Sequence, residues 1–243
     1  MIEVLLNHFY VTPDLESFAA AERFLQGFGA LEKRTTVRRD MTYTGLYLYG
    51  ESTYLELLHP ASSSFGSPSG IAWGIETPGG IDAFCRATPA PGVEEISRGE
   101  VPWFRSCRPE QLPGLTEWAM EYVPAFFRGF HPELPPSRPG IARSDALTRY
   151  AASCGKLEER ERGPFQDVIG LDVALGAREL EKWNARPFRI AGAEVRAGLA
   201  PQGAPPGIRE ARLRLRRDAG RTVQRIGGTT LSLDGTTAVW RFD

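Results

Sequence analysis

The chain has 243 residues, of which 42% are hydrophobic and 24% are charged, and its formal net charge is -1. This length and balance predict one or two globular domains with a buried core, and the near-neutral charge argues against nucleic acid and membrane surfaces as partners. No apolar run approaches the roughly 20 residues of a membrane-spanning helix.

The N-terminal third predicts one β-α-β-β-β unit. Residues 4–11 form the first predicted strand, and Asp14 or Thr12 can cap the helix that follows. Gly27 is a typical helix stop. Three β-rich runs complete the unit, at residues 31–38, 43–49 and 53–58.

The same order restarts after a loop rich in Ser, Gly and Pro. Residues 71–76 predict a strand and residues 81–87 a short helix. Two strands follow at 101–107 and 116–122, and residues 132–140 are a proline-rich connection. This second unit is less regular than the first.

The same strand–helix order occurs a third time in the C-terminal part of the sequence. Residues 167–175 alternate as a strand and residues 177–184 predict a helix. Strands are expected at 188–199 and 208–216, and Asp234-Gly235 predicts a hairpin within residues 229–242.

Repetition of one supersecondary unit predicts an α+β protein built from βαβββ modules. The expected division is a pair of modules in residues 1–130, a linker and irregular segment in 131–164, and an additional βαβββ-like module in 165–243. The alternative is that a mixed chain of this length shows such an order by chance.

The first residues, MIEVLLNHFYVTPD, show neither a basic region nor a small-residue cleavage site. We therefore expect no signal peptide and a cytoplasmic location. The three cysteines, Cys85, Cys107 and Cys154, are widely spaced and expected to be reduced thiols. One of them could act as a catalytic nucleophile, but a structural role as a small, partly buried side chain is favoured.

Three polar side chains lie in otherwise apolar strands. Strand alternation puts His8 on one face with Leu6 and Tyr10, and it puts Glu56 on one face with Tyr54. Glu121 lies in a similar aromatic strand. A buried carboxylate is costly unless it is paired or coordinated, so one histidine and two glutamates could hold a divalent cation.

Simpler explanations compete with a metal site. His8 can be a structural strand histidine, and each glutamate can be solvated or can pair with Arg34, Arg38 or Arg105. His59 has the opposite strand parity to Glu56 and is expected to be structural, whereas His131 could reach a pocket mouth.

The aromatic residues on the strands are expected to pack in the core or to line a pocket. The candidates are Trp73, Trp103, Trp118 and Tyr122. A basic stripe at Arg212, Arg214, Arg216 and Arg217 is expected to be a solvated strand edge rather than a nucleic-acid site.

Several segments carry a resemblance to a known family. LNHFYVTPDLESFAAAERFLQGFGA and TGLYLYGESTYLELLHP resemble the vicinal oxygen chelate superfamily of glyoxalase-like and bleomycin-resistance-like proteins. LNHFYV, RTTV, YTGLYLYGESTYLEL and WAMEYVP are similar to a glyoxalase-like branch. The likeness is strongest over residues 1–85, and from 165 onward it rests on strand order. It implies paired βαβββ modules in a curved, half-open mixed sheet whose inner face holds a divalent metal.

The resemblance also implies a ligand set. His8 in NHFYV matches the first-strand ligand, Glu56 in YLELL the fourth-strand ligand, and Glu121 in MEY the last-strand ligand of the second module. The usual fourth ligand is a histidine that opens the fifth strand, but this chain has Ser69-Gly70 there. At most three protein ligands remain, or the metal has been lost.

The implied activity is that of a metal-dependent lyase, isomerase or oxygenase acting on a small oxygenated metabolite. The metal could be Fe, Mn, Zn, Ni or Mg, acting as a Lewis acid; Glu56, Glu121, Tyr10 or Tyr54 could move protons. The rival is a metal-free protein of the same fold that binds a small molecule or confers resistance. A third hypothesis is a metal-free catalyst that uses the same carboxylates. A homodimer is possible, since related folds pair their modules.

Overall fold

The structure, a computed structural model, describes residues 2–37, 42–62, 66–135 and 141–242. It is a mixed α+β protein with few helices, in which one mixed sheet is strongly curled into a half-barrel. In the described part of the chain, no helix has the length and apolarity that crossing a membrane requires.

The elements up to residue 122 are β1 (Ile2–Val11), α1 (Leu15–Leu25), β2 (Ala30–Val37), β3 (Thr42–Tyr49), β4 (Tyr54–Leu58), β5 (Ser69–Gly74), α2 (Gly80–Ala87), β6 (Val93–Arg98), β7 (Val101–Cys107) and β8 (Thr116–Tyr122). The later elements are α3 (Pro124–Gly129), α4 (Arg143–Ser153), α5 (Leu157–Arg162), β9 (Phe165–Leu175), α6 (Ala177–Asn184), β10 (Phe188–Ala191), β11 (Glu194–Leu199), β12 (Gly207–Leu215), β13 (Arg221–Ile226), β14 (Thr229–Asp234) and β15 (Thr237–Arg241).

The curled sheet has the strand order β2-β3-β4-β1-β5-β8-β7-β6, and β10 pairs with β1 beside this path. β1 pairs with β4 in parallel and β5 pairs with β8 in parallel, while β1 and β5 are antiparallel to each other. The two halves of the sheet therefore follow the same strand-helix-three-strand order and meet at their first strands.

β1 is long enough to take two neighbours on one edge. Its residues 2–5 pair with β10 and its residues 8–11 pair with β4. The register with β5 shifts between Leu6 and His8, which indicates a bulge. Leu6 consequently packs in one core and Tyr10 in the other. The predicted common face of Leu6, His8 and Tyr10 is wrong for Leu6, because the extra residue interrupts the alternation.

The helix after β1 begins as the sequence predicts. Asp14 is its N-cap, and its Oδ1 accepts a hydrogen bond from Ser17 N at 2.8 Å. The buried side chains of this helix include Phe18, Ala21 and Leu25. They belong to the large apolar core on the outer face of the curled sheet.

A second sheet packs over that outer face. Its strand order is β11-β9-β12-β15-β14-β13. Leu171 and Trp240 from this sheet lie in the same core as Phe9 and Trp73 from the first. The inner, concave face of the curled sheet has a separate aromatic core, to which α3 and α4 contribute.

The C-terminal segment differs from the predicted module in detail. The run at 188–199 is two strands, and the first of them, β10, joins the curled sheet. β13 was not predicted, and neither was β6 in the second unit. The hairpin at Asp234-Gly235 is confirmed, with Asp234 opposite Thr237 and Gly235 at a φ of 61°.

The expected linker at 131–164 contains two helices, α4 and α5. α4 buries Ala146, Leu147 and Tyr150 against the inner face of the curled sheet. The interpretation of this segment as irregular is therefore wrong from residue 143 to 162. Residues 136–140 of the proline-rich connection lie outside the described residues.

The basic stripe, which runs along β12 and just past its end, takes part in ion pairs. Arg212 Nη1 lies 2.9 Å from Asp172 Oδ1, and Arg216 pairs with Glu51. The guanidinium groups of these two arginines are therefore engaged by the protein's own carboxylates.

Candidate functional site

The concave face of the curled sheet encloses a cavity of about 160 Å³. Its wall is dominated by tyrosine, and the six tyrosines that line it are Tyr10, Tyr43, Tyr47, Tyr49, Tyr54 and Tyr150. The seventh tyrosine of the chain, Tyr122, accepts a hydrogen bond from Tyr150 Oη at 3.3 Å. All the tyrosines of the protein thus belong to one aromatic core.

His8 and Glu56 meet at this cavity. The parallel register of β1 and β4 sets His8 opposite Tyr54 and Tyr10 opposite Glu56. His8 Nε2 lies 3.7 Å from Glu56 Oε1, and the His8 ring stacks on Tyr54 with centroids 4.1 Å apart. The predicted convergence of these two residues is therefore found.

The His8 ring is neutral at neutral pH, because burial lowers its pKa from 6.5 to about 3. Its Nδ1 lies 2.8 Å from Asn7 Oδ1. In the neutral tautomer that carries its proton on Nδ1, this nitrogen donates to the Asn7 amide oxygen. Nε2 then presents a lone pair toward Glu56.

Tyr10 and Tyr54 are protonated at this site. Burial raises the pKa of Tyr10 to about 12 and raises the pKa of Tyr54 well above its usual value. The Tyr10 hydroxyl donates to Ser67 O at 3.0 Å. Both phenols are therefore suited to donate hydrogen bonds, and neither is poised to act as a base at neutral pH.

The fifth strand leaves no room for a side chain at position 70, where the family resemblance would put a fourth ligand. Gly70 pairs with Tyr10 across β1 and β5. A Cβ atom at position 70 would lie 2.3 Å from Tyr10 Cε1 and 2.8 Å from Thr116 O. The ring of Tyr10 thus fills the space into which a side chain at position 70 would project.

Glu121 does not join His8 and Glu56. Its carboxylate accepts hydrogen bonds from Gly79 N at 2.8 Å and Ile81 N at 2.9 Å, at the start of α2. Trp118 and Met120 of the same strand line the cavity, so alternation turns Glu121 to the other face. This corrects the predicted three-residue centre.

The donor set does not fit the predicted metal centre. His8 and Glu56 are two of its three expected ligands, and the third serves a helix on the opposite face. Within the ranges that the structure describes, no group of three or more His, Cys, Asp or Glu side chains could hold a metal ion.

Two of the predicted pocket tryptophans line the cavity. Trp103 Nε1 donates to Tyr150 Oη, and the Trp118 ring lies edge-on to His8 at 5.2 Å. Tyr122 lies behind the wall, against Tyr150. Trp73 is on the outer face, where its Nε1 donates to Glu117 Oε1 at 2.9 Å.

The remaining predicted polar residues lie elsewhere. His59 packs edge-on against Phe18 at 4.9 Å, outside the cavity, and His131 Nδ1 lies 2.7 Å from Glu133. Arg105 pairs with Asp82 at 2.6 Å rather than with a buried glutamate. Arg38 lies outside the described residues.

Sequence reasoning missed much of the wall. Tyr43, Tyr47 and Tyr49 alternate along β3, and this alternation was a usable signal. Arg34 also lines the cavity: its Cζ lies 4.2 Å above the Tyr47 ring, and its Nη1 is 2.9 Å from Glu32. Tyr150 comes from α4, and no local pattern indicates that this helix covers the cavity.

A model for a family of unknown function matches residues 6–242, almost the whole chain. A search of curated proteins finds no match.

Proposed function

The chain belongs to the family of unknown function DUF5829, and we propose that it binds a small organic molecule in the tyrosine-lined cavity. The observation that carries this proposal is the concentration of six tyrosines and two tryptophans around the His8–Glu56 pair. Ligand pockets are typically aromatic walls with a few convergent polar groups. An engineered cavity of about 150 Å³ holds benzene, so this one has room for a ring-sized group.

The repeated topology supports a relationship to the vicinal oxygen chelate superfamily. β1 to β4 and β5 to β8 have the same element order and the same parallel pairing of first and last strands. We infer that they are two βαβββ modules cupped around one site. The cytoplasmic location and the homodimer remain predictions, which rest on the sequence and on the family resemblance.

Acid–base catalysis on the bound molecule is a second candidate function. It is favoured by one observation, the 3.7 Å separation of a neutral imidazole and a carboxylate at the cavity. A metal-dependent lyase, isomerase or oxygenase stays a prediction with weaker support, since only His8 and Glu56 of its expected ligands lie together.

A small-molecule library screened by thermal shift and by ligand-observed NMR tests the binding proposal. Trp118→Leu removes part of the cavity wall and should abolish or weaken binding of the compounds that the wild type binds. Trp183→Leu is the matched control, because Trp183 packs against Trp73 on the outer face, and it should retain binding. Equal loss in both variants, or no bound compound at all, would contradict the proposal.

A further inference from the structure

Two polar side chains at the end of β7 face the cavity. Alternation along this strand puts Phe104, Ser106 and Arg108 on one face, and all three line the cavity. The residues between them turn the other way, since Arg105 pairs with a carboxylate of α2 and Cys107 lies in the outer core. The strand therefore directs the Ser106 hydroxyl and the Arg108 guanidinium toward a bound molecule.

Neither group is engaged by the part of the protein that the structure describes. The Ser106 hydroxyl is buried and makes no hydrogen bond with a described residue. Arg108 is exposed at the cavity and has no described carboxylate partner. Glu94, opposite Ser106 on β6, is exposed and forms no ion pair with Arg108. A guanidinium only donates and a hydroxyl can donate, so a group that engages both must supply acceptors.

The charges differ between the two halves of the cavity wall. In the half formed by β2 to β4, Arg34 and Glu56 line the cavity with opposite charges. In the half formed by β6 to β8, Arg108 is the one charged residue among the described lining residues. The strand order separates β4, which carries Glu56, from β7 by three other strands. The Arg108 end of the cavity is therefore positive.

Aromatic rings lie next to this positive end. Burial raises the pKa of Tyr10 to about 12, and the charge of Arg108 acts on it in the opposite direction. The ring of Trp118 lies 6.2 Å from that of Tyr10. An apolar ring packed against these aromatic side chains would have the guanidinium near its edge. One molecule that carries both a ring and an acceptor group fits this arrangement.

We propose that the ligand is a small aromatic carboxylate. Its carboxylate accepts hydrogen bonds from the Arg108 guanidinium and the Ser106 hydroxyl, while its ring lies among the tyrosines. Guanidinium and carboxylate groups are both planar, and they pair through two parallel hydrogen bonds. This inference rests on the proposed binding function and names the ligand class.

Three planar probes of one shape test the ligand class by NMR titration and calorimetry at neutral pH. They are benzoate, neutral benzamide and cationic benzamidinium, and EDTA is present so that no metal holds the carboxylate. Benzoate should bind about tenfold more tightly than benzamide, because it adds charge-assisted hydrogen bonds to a partly solvated arginine. Benzamidinium should bind more weakly than benzamide.

Variants of the β7 end locate the effect. Arg108→Gln should remove the preference for benzoate over benzamide, and Arg108→Lys, which restores the charge, should retain part of it. Ser106→Ala should weaken the binding of benzoate more than that of benzamide. Arg105→Gln makes the same chemical change as Arg108→Gln on the opposite face of the sheet, and it should leave the preference intact.

The failures are distinguishable. Equal binding of benzoate and benzamide, or tighter binding of benzamidinium, overturns the carboxylate inference; if that binding is lost in Trp118→Leu, the binding proposal stands. A preference for benzoate that persists in Arg108→Gln also overturns the inference, because the carboxylate would then lie elsewhere. If no probe binds while library compounds do, the carboxylate inference alone fails; if nothing binds, both fail.

Discussion

The His8 side chain offers a direct test of burial at the site. Its pKa falls from 6.5 to about 3 through burial, so between these values the unfolded chain binds a proton that the folded chain does not. The contribution of His8 to stability is therefore full above pH 6.5 and is lost as the pH falls toward 3. We expect a slope of up to about 1.4 kcal/mol per pH unit in this window.

Urea unfolding of wild type and His8→Gln across this pH window measures that slope. The variant should lose it, whereas Glu56→Gln, which changes the neighbouring carboxylate, should retain most of it. If wild type and His8→Gln show identical pH dependence, the pKa of His8 is not lowered in the folded protein.

The alternation of side chains between the two faces of a strand explains one correct and one wrong prediction from the sequence. Alternation in β4 correctly put Tyr54 and Glu56 on one face. The same rule applied to WAMEY separates Glu121 from Trp118, so the two could not both face the cavity. Glu121 was selected because it is an acid in an apolar, aromatic strand and because the family resemblance matches it to a ligand, but the alternation rule that argued against it was available in the sequence.

Among the elements, α2 depends on an acceptor from another strand. Its N-cap, Gly79, has no capping side chain, and Glu121 of β8 accepts hydrogen bonds from Gly79 N and Ile81 N instead. A carboxylate is also favoured at a helix N-terminus by the helix dipole. Glu121 is thus a structural residue of this helix.

We expect Glu121→Gln to lower the free energy of unfolding by about 1–2 kcal/mol, since the amide has one acceptor oxygen for two backbone donors. Chemical denaturation measures the change. Glu94→Gln, at an exposed position of β6, is the control and should have little effect. Equal stability of the two variants would show that the cap contributes nothing.

Elements with a strong local signal were predicted well, and elements with a weak one were missed. β1, α1, β3, β7, β8, α6 and the final hairpin lie within about two residues of their predicted ranges. β6, with the sequence VEEISR, and β13, with RTVQRI, are largely polar and lack a buried alternating face. Pairing with neighbouring strands, which is not a local property, determines their structure.

At the scale of the whole molecule, Asp167 joins the two sheets. It lies on β9 of the second sheet, and its Oδ1 accepts hydrogen bonds from Ser52 N and Thr53 N, both at 2.8 Å, in the turn before β4. Thr53 Oγ1 also donates to Oδ1 at 3.0 Å and accepts from Val168 N. This cluster holds β9 against the strand that carries Glu56.

Asp167→Asn should lower the free energy of unfolding by about 2–3 kcal/mol, because the buried backbone donors lose an ionised acceptor. Unfolding followed by tryptophan fluorescence measures this change. Asp172→Asn changes the same residue type on the same strand but breaks a surface ion pair with Arg212, which typically contributes under about 1 kcal/mol. Similar losses in both variants would contradict the joining role of Asp167.

The resemblance to a known family, together with the strand patterns, predicted that His8 and Glu56 lie at one site, and the pairing of β1 with β4 brings them there. The amino-acid sequence alone was sufficient for the α+β class and for the order of most elements. These features follow from side-chain period, caps and turns, which act between residues a few positions apart. Tertiary structure decided the rest: the bulge after Leu6, the pairing of β10 with β1, the closing of the cavity by Tyr150, and the turning of Glu121 to α2. Each of these depends on contacts between distant segments, whose packing and hydrogen bonds outweigh local preference.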